Sequence, residues 1–407
     1  MPEQPADEFA LIGELVGDRA GAWDIAGELP TDLLRTLGSR GALCAQVPET
    51  YGGLGLSSQA NGELTAYVGG LCSSLRSIMT SQGIVAWTVQ RFGDRTQRRE
   101  LLAELTGGKL TAVGFSEPGA GSDLAAMRTR IEPDGDGFVL NGEKKWVTGT
   151  RYADFVLIVG RNGDGAAAAV VPVDTPGVHI DLVPHPMGCR AAGHANIRLD
   201  HVRIPAELVL GGGGQPLSML FTTALSYGRM SIAWGCVGIL RACLNAASGH
   251  AKRREQGGVA LAEHQLVRRH LAEMLIAEQV SLRACEHASR CWDSAAPDMG
   301  PMAVLAKHVS AGHAAQSAAT AVQLLGSAGA EDGHLAARAF RDAKLMELIE
   351  GSNEICQLIL ADHALSISDE HPTHGVTHSA TPDATHDATP DTRHMTMAKP
   401  VGGGPRG

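Results

Sequence analysis

Between residues 110 and 210 the chain changes its periodicity, and this limits what it can fold into. Short apolar runs (FVL, DFVLIVGR, AAAAVVPV, VHIDLVP, NIRLDHVRIP) alternate there with Gly/Asp turns such as PDGDG and NGDG. Runs of this length between turn formers read as closely spaced strands, so a compact all-β unit is expected. On both sides helical spacing prevails. In LPTDLLRTLGSRG, Leu29, Leu33, Leu34 and Leu37 share one face, with Thr31 as the expected N-cap and Gly38 or Gly41 near the stop. SSLRSIMTSQGIVAWTVQRFG and RRELLAELTGGK read the same way, and the loop at 47–58 is punctuated by Gly52, Gly53 and Gly55. Helical periodicity returns near 217–253, 260–295, 300–328 and 334–350, with a last segment from Ser352. At 407 residues the chain is too long for one ordinary core. The expected class is α+β multidomain: a helical domain over 1–110, a β domain over 111–212 and a helical bundle over 213–366.

The formal net charge of -10, without a long basic run, argues against a nucleic-acid partner. Aromatics are only 4%, so the core must be built from Ala, Val, Leu and Ile. The start shows no basic stretch followed by an apolar one, so no signal peptide is expected, and stretches such as MSIAWGCVGIL are too short to span a bilayer. Cys44, Cys72, Cys189, Cys236, Cys243, Cys285, Cys291 and Cys356 form no CxxC pair. They read as buried, reduced thiols of a cytoplasmic protein, and no metal site is expected. Residues 367–407 are rich in Thr, Pro, Asp and His, contain ATPDATHDATPDT and end in GGGPRG. Such a segment buries too little surface to offset its ordering entropy, so it reads as a disordered, low-complexity tail. Its five histidines have no regular ligand spacing.

Three stretches carry chemistry. In GFSEPGAGSD a strand-like run enters a loop whose Gly119 and Gly121 allow close approach of a ligand, with Ser116 and Ser122 as donors. A plain Gly-rich turn is the competing reading. In LNGEKKWVTG, NG suggests a tight turn, and alternation puts Trp146 and Thr148 on one strand face as an aromatic wall with a hydroxyl beside it. Taken alone, the stretch fits a core Trp with a cross-strand Thr better. In KLMELIEGSNEI, a helical wheel clusters Leu345, Met346, Leu348 and Ile349, sets Glu347 opposite as a solvated charge, and leaves Glu350 at the stripe's edge. Gly351 then breaks the helix, and Ser352 or Asn353 caps the next. A carboxylate there, half inside an apolar wall, has a raised pKa and a fixed direction. The pattern alone also fits an exposed helix-end glutamate.

FSEPGAGSD, NGEKKWVTG, REQGGVALAEHQ, VQLLGSAGA and RDAKLMELIEGSNEI stand in the order and spacing of the acyl-CoA dehydrogenase family of flavoproteins, which the chain resembles from about residue 10 to residue 365. LCSSLRSIMTSQGIVAWTVQRFGD, GCRAAGHA and YGRMSIAWGCVGILRAC resemble, more narrowly, the acyl-carrier-protein dehydrogenases of methoxymalonyl and hydroxymalonyl extender-unit pathways. The resemblance implies an N-terminal helical domain, a middle β-barrel domain and a C-terminal four-helix bundle. It implies FAD between barrel and bundle, a homodimer or homotetramer, and electron-transfer flavoprotein or another acceptor. Phe115 and Ser116 would meet the flavin ring on one side, Trp146 and Thr148 on the other, and Ser122 the acyl-pantetheine chain. Arg254 would reach a partner subunit's FAD pyrophosphate, with Gln256, Gln323 and Gly326 at nucleotide contacts and Ser352 and Glu354 beside the cofactor. Glu350 would be the base and Arg229 the cation beside it. In branches that place the base on an earlier helix an acid stands in the stretch that reads LSYGRM here, where Tyr227 and Gly228 offer none. Three departures stand out: Gly257 and Gly258 where the family has Phe-Gly, Ile349 for a Tyr or Phe, and Glu354 for a Gln.

The implied activity is FAD-dependent oxidation of a short hydroxyacyl group on acyl-carrier protein, with acyl-CoA as the other possible substrate. A catabolic short- or branched-chain acyl-CoA dehydrogenase and a flavin-less carrier-binding homologue are the competing readings.

Overall fold

The computed structural model describes residues 6–370; the histidine-rich stretch of the tail lies outside them. Six helices open the chain: α1 (Ala6–Val16), α2 (Ala20–Ala26), α3 (Thr31–Ser39), α4 (Ser58–Leu71), α5 (Ser73–Phe92) and α6 (Arg95–Thr106). In α3, Leu33, Leu34 and Leu37 are buried as their spacing requires, but Pro30 holds the N-cap position and Thr31 is the first helical residue. Proline's missing N–H and fixed φ suit a helix start, which moves the boundary by one. The start of α6 is set by a capping box: Asp94 accepts from the N–H groups of Thr96 and Gln97, and Gln97 returns to Asp94 N.

Of the 20 residues of α5, 17 are buried, so this helix is enclosed on all sides although it is rich in hydroxyls. Its Ser77, Thr80 and Thr88 satisfy those hydroxyls within the helix, each donating to the carbonyl four residues back at 2.8–3.0 Å.

The middle region forms one seven-stranded sheet from β1 (Thr111–Gly114), β2 (Arg130–Asp134), β3 (Gly137–Val147), β4 (Phe155–Asn162), β5 (Gly165–Pro172), β6 (Val178–Leu182) and β7 (Ala195–Pro205). The order is β1-β4-β2-β3-β7-β6, with β5 also on β4. β1 and β2 run parallel to β4, and the other pairings are antiparallel. Asn141-Gly142 makes no turn: both residues lie inside β3 at a bulge against β7, and the β2–β3 turn is made by Gly135 and its neighbours instead. Gly142 has φ 152° and a Cβ there would press on Thr129 Cα at 2.7 Å, so the bulge requires glycine.

The last region holds α7 (Leu217–Arg253), a small hairpin of β8 (Glu255–Gln256) and β9 (Val259–Ala260), α8 (Gln265–Asp293), α9 (Met299–Leu325), α10 (Leu335–Leu348) and α11 (Asn353–Glu370). The first residues of the expected tail therefore extend α11. α7 is long and apolar enough to cross a membrane, which the short MSIAWGCVGIL stretch did not suggest, but 72% of that apolar span is buried inside the fold. α7 meets α4 along a seam of glycines. Added Cβ atoms would lie 2.7 Å from Gly235 O at Gly69 and 3.0 Å from Gly238 O at Gly70, and one at Gly62 would strike the Trp234 ring. All eight cysteines are buried and free.

Candidate active site

α10 stops at Leu348, Ile349 is extended, and Glu350 and Gly351 follow with φ of 55° and 92°. Ser352 Oγ then accepts from Ile355 N at 3.4 Å, and α11 begins at Asn353. Glu350 therefore lies outside the helix, and the wheel that placed it at the edge of a stripe does not apply. The expected Leu-Ile wall is absent too: Leu348 is 52% and Ile349 37% exposed. The surroundings of Glu350 come instead from α5, α7 and α9.

A non-glycine residue in a left-handed conformation costs about 1–2 kcal/mol, so its neighbours must hold it. Arg229 Nε, on α7, donates to Glu350 O at 3.1 Å. Lys307 Nζ, on α9, donates to Gly351 O at 2.7 Å and to Glu347 O at 3.4 Å. Gly228 faces the Glu350 carboxylate, and a Cβ there would collide with it. The stretch that could have carried a rival acid thus supplies the space for this one. Among the described residues the Oε2 atom, sealed from solvent, has no hydrogen-bond partner. Burial pushes the Glu350 carboxyl up to about 7, against the opposing charges of Arg229, Lys307 and Arg76.

Sequence reading missed Arg76 and Lys307. Arg76 is fully buried on α5; it donates to Thr80 Oγ1 and to Met346 Sδ, both at 3.0 Å, and Thr80 shares a 2.7 Å bond with Ser231. The available signal was a lone cation amid apolar and small residues, in SSLRSIMTSQ and AVLAKHVSA. Glu347 is not the solvated charge its wheel position suggested. It is half-buried and joins Lys344 Nζ (2.9 Å) on α10 to Asn353 Nδ2 (3.1 Å) on α11.

A second group surrounds the end of β1. Phe115 and Ser116 are half-buried; Phe115 stands edge-on to Phe221 at 5.6 Å, and Ser116 O accepts from Lys145 N at 2.8 Å. Trp146 breaks the alternation expected of β3: its φ is 55°, and the register shifts between Lys144 and Val147. The residue is 54% exposed, and its ring stands 5.7 Å from that of His194, which bonds Thr148 Oγ1 through Nδ1 at 3.1 Å. Trp146 and Thr148 therefore meet through His194 rather than by strand pleat. Burial pulls His194 down to about 4, so it is neutral. Ser122 is exposed on the loop, beside Gly119 and Gly121 with open space at both Cβ positions.

Arg254, Gln256, Gln323 and Gly326 are all exposed. Tyr227 of α7 shares a core cluster with Phe115, whereas Arg254 follows it by 27 residues, about 40 Å of helix. Within one chain Arg254 therefore lies far from Phe115. Gly257 and Gly258, the departures from Phe-Gly, are the two-residue turn of the β8–β9 hairpin with φ of 63° and 85°, which glycine adopts without strain. Glu354 is exposed, and a hydrogen bond from Ser352 lowers its pKa, so it is ionised. His287, Cys291 and Asp298 bring ligand-type atoms within 4.8 Å of one another. Burial and then Asp298 raise the Cys291 pKa, as expected of a protonated thiol beside a carboxylate.

Three family models match in chain order: the acyl-CoA dehydrogenase N-terminal domain over 10–109, the middle domain over 112–202 and the C-terminal domain over 219–365. The chain belongs to the acyl-CoA dehydrogenase family. It is 33% identical to the probable acyl-CoA dehydrogenase YngJ of Bacillus subtilis (strain 168) over 84% of this chain and 92% of that protein. It is 58% identical to FkbI, for biosynthesis of the methoxymalonyl extender unit of the polyketide immunosuppressant Fk520, with TM-score 0.85 over 88% of this chain and 99% of that one. Glutaryl-CoA dehydrogenase from Mycobacterium smegmatis in complex with FADH2 is 26% identical, with TM-score 0.84 over 90% and 95%.

The acyl-CoA dehydrogenase fold expected from the sequence is thereby confirmed, with the middle β domain, expected as a barrel, formed by a curled sheet between the helical N-terminal and C-terminal regions, as is the class: an FAD-dependent dehydrogenase. The residues present fit that cofactor. A large aromatic ring, Trp146, stands exposed beside a hydroxyl and a neutral imidazole, next to a glycine loop with open space. Such surroundings suit a flat heterocycle better than water.

Proposed function

We propose that this acyl-CoA dehydrogenase oxidises a three-carbon hydroxyacyl group carried as a pantetheine thioester on acyl-carrier protein. The observation that carries the reaction type is Glu350: a half-buried carboxyl group with one oxygen, Oε2, sealed from solvent and unpartnered among the described residues, held in a left-handed turn and raised to about 7, as removal of a proton next to a thioester requires. Arg229 orients it through its own carbonyl rather than by pairing with the carboxylate, which leaves the acceptor oxygen free for the substrate. The Glu350 N–H would donate to the thioester carbonyl, where charge develops. Phe115, Ser116, Trp146, Thr148, Ser352 and Glu354 would hold FAD, which supplies the hydride acceptor, and Ser122 would line the entry of the pantetheine arm. The carrier-linked substrate is supported by the 58% identity to FkbI.

Arg254, Gln256, Gln323 and Gly326 would then serve the cofactor of a second subunit in a homodimer or homotetramer. The distance of Arg254 from Phe115 supports this, as do the exposed apolar side chains of Leu266, Leu275, Ile276 and Val280 on α8. Electrons would leave to electron-transfer flavoprotein or another acceptor in the cytoplasm.

The test is anaerobic mixing of the FAD-loaded enzyme with glyceryl-carrier protein or butyryl-CoA, following flavin absorbance. The carrier thioester is expected to bleach the flavin and butyryl-CoA to leave it oxidised. Rapid bleaching by butyryl-CoA alone would sink the carrier assignment and favour a catabolic short-chain enzyme.

A further inference from the structure

Lys307 is the only Asp, Glu, Lys or Arg in the 27 residues of α9, and its side chain is completely buried. A buried ammonium ordinarily requires a carboxylate in direct contact. Among the described residues none hydrogen-bonds or ion-pairs with Lys307; Nζ is held by the carbonyls of Gly351 (2.7 Å) and Glu347 (3.4 Å). Those two carbonyls bracket Glu350. Arg229 takes the Glu350 carbonyl itself, so two cations from two helices grip three carbonyls over five residues. Arg229 alone leaves the carbonyls on either side of Glu350 without a cationic partner. Among the described residues Gly351 O otherwise meets only the weak thiol donor of Cys356, at 3.6 Å.

We propose that Lys307 is a positioning residue for proton abstraction: it clamps the left-handed turn that aims Glu350, and its charge favours the ionised base. This rests on Glu350 being the base. The charged or titratable groups facing Glu350 are Arg76 from α5, Arg229 from α7 and Lys307 from α9, all cations; Cys356 of α11 and Cys236 of α7 lie beside Lys307. Removing Lys307 therefore weakens the support for the carboxylate without removing a competing acid. The sign follows: with one cation fewer, Glu350 holds its proton to higher pH, and the active form appears only at higher pH.

The experiment uses the FAD-loaded enzyme and whichever thioester bleaches its flavin, with the rate of flavin reduction followed against pH in the wild type, Lys307→Met, Lys307→Gln, Lys307→Arg and Glu350→Gln. Lys307→Met is expected to slow reduction about tenfold at pH 7 and to move the acid limb up by about one pH unit. Lys307→Arg, which keeps charge and donors, is expected to restore the limb. Lys307→Gln keeps a donor without the charge and is expected to shift the limb as Met does, so it decides the question if the Met variant fails to fold. An unmoved limb in the neutral variants, at any rate of reduction, overturns the proposal, as does a shifted limb in Lys307→Arg. If Glu350→Gln still reduces the flavin at wild-type rate, the base assignment fails; if Glu350→Gln is inactive and the limb unmoved, the role of Lys307 alone fails.

Discussion

Replacing Glu350 with Gln is expected to slow flavin reduction by substrate about 10³- to 10⁴-fold, with FAD still bound. The amide keeps the size and shape of the side chain and loses only the ability to take a proton. In the wild type the rate should fall as pH drops below about 7, the value to which burial pushes this carboxyl. Stability should move the other way. Because the folded value lies above the unfolded one, folding favours the protonated form, so the carboxyl's contribution is full at low pH and is lost as pH rises through about 7. Above that pH the Gln variant should be at least as stable as the wild type, which separates lost chemistry from a lost fold. Stopped-flow absorbance and thermal unfolding at pH 6 and 8 check both; reduction within tenfold of wild type would show that another group takes the proton.

The largest expected loss of stability is at Lys144. Its Nζ is fully buried, 2.7 Å from Glu117 Oε1, and also donates to Phe115 O at 3.3 Å. Burial pulls Lys144 down to about 8 and pushes Glu117 up, but bonds from Lys144, Thr129 and Arg128 outweigh burial and leave Glu117 below the usual carboxylate range. Lys144→Met removes one charge and strands the other, at an expected cost of about 3–5 kcal/mol in denaturant unfolding. Adding Glu117→Gln to that variant should recover most of it. A loss under about 1 kcal/mol, near the value of an exposed pair, would show that Glu117 can find water.

What the sequence disclosed depended on how local each cause is. The helices of the bundle and the strand block were legible because period and turn residues are local: α7 begins and ends where its pattern does. The family strings located Glu350, Trp146 and Thr148 as residues of interest. Their geometry was not legible. Glu350 and Trp146 both sit at positive φ, where neither a wheel nor strand alternation holds, and no residue type at either position announces it. The partners of Glu350 come from three other helices, the nearest in sequence 43 residues away, so Arg76 and Lys307 looked like isolated charges. The Asn-Gly pair misled because a bulge and a tight turn call for the same residues.

α5 belongs by sequence to the first domain, yet it is enclosed on all sides, and the glycine seam between α4 and α7 lets backbone touch backbone between the first domain and the last. Where side chains cannot separate the surfaces, one region has no partly docked arrangement in which to persist while the other melts. Residues 6–365 should therefore lose structure in a single cooperative step, with α5 among the last segments to exchange its amide protons.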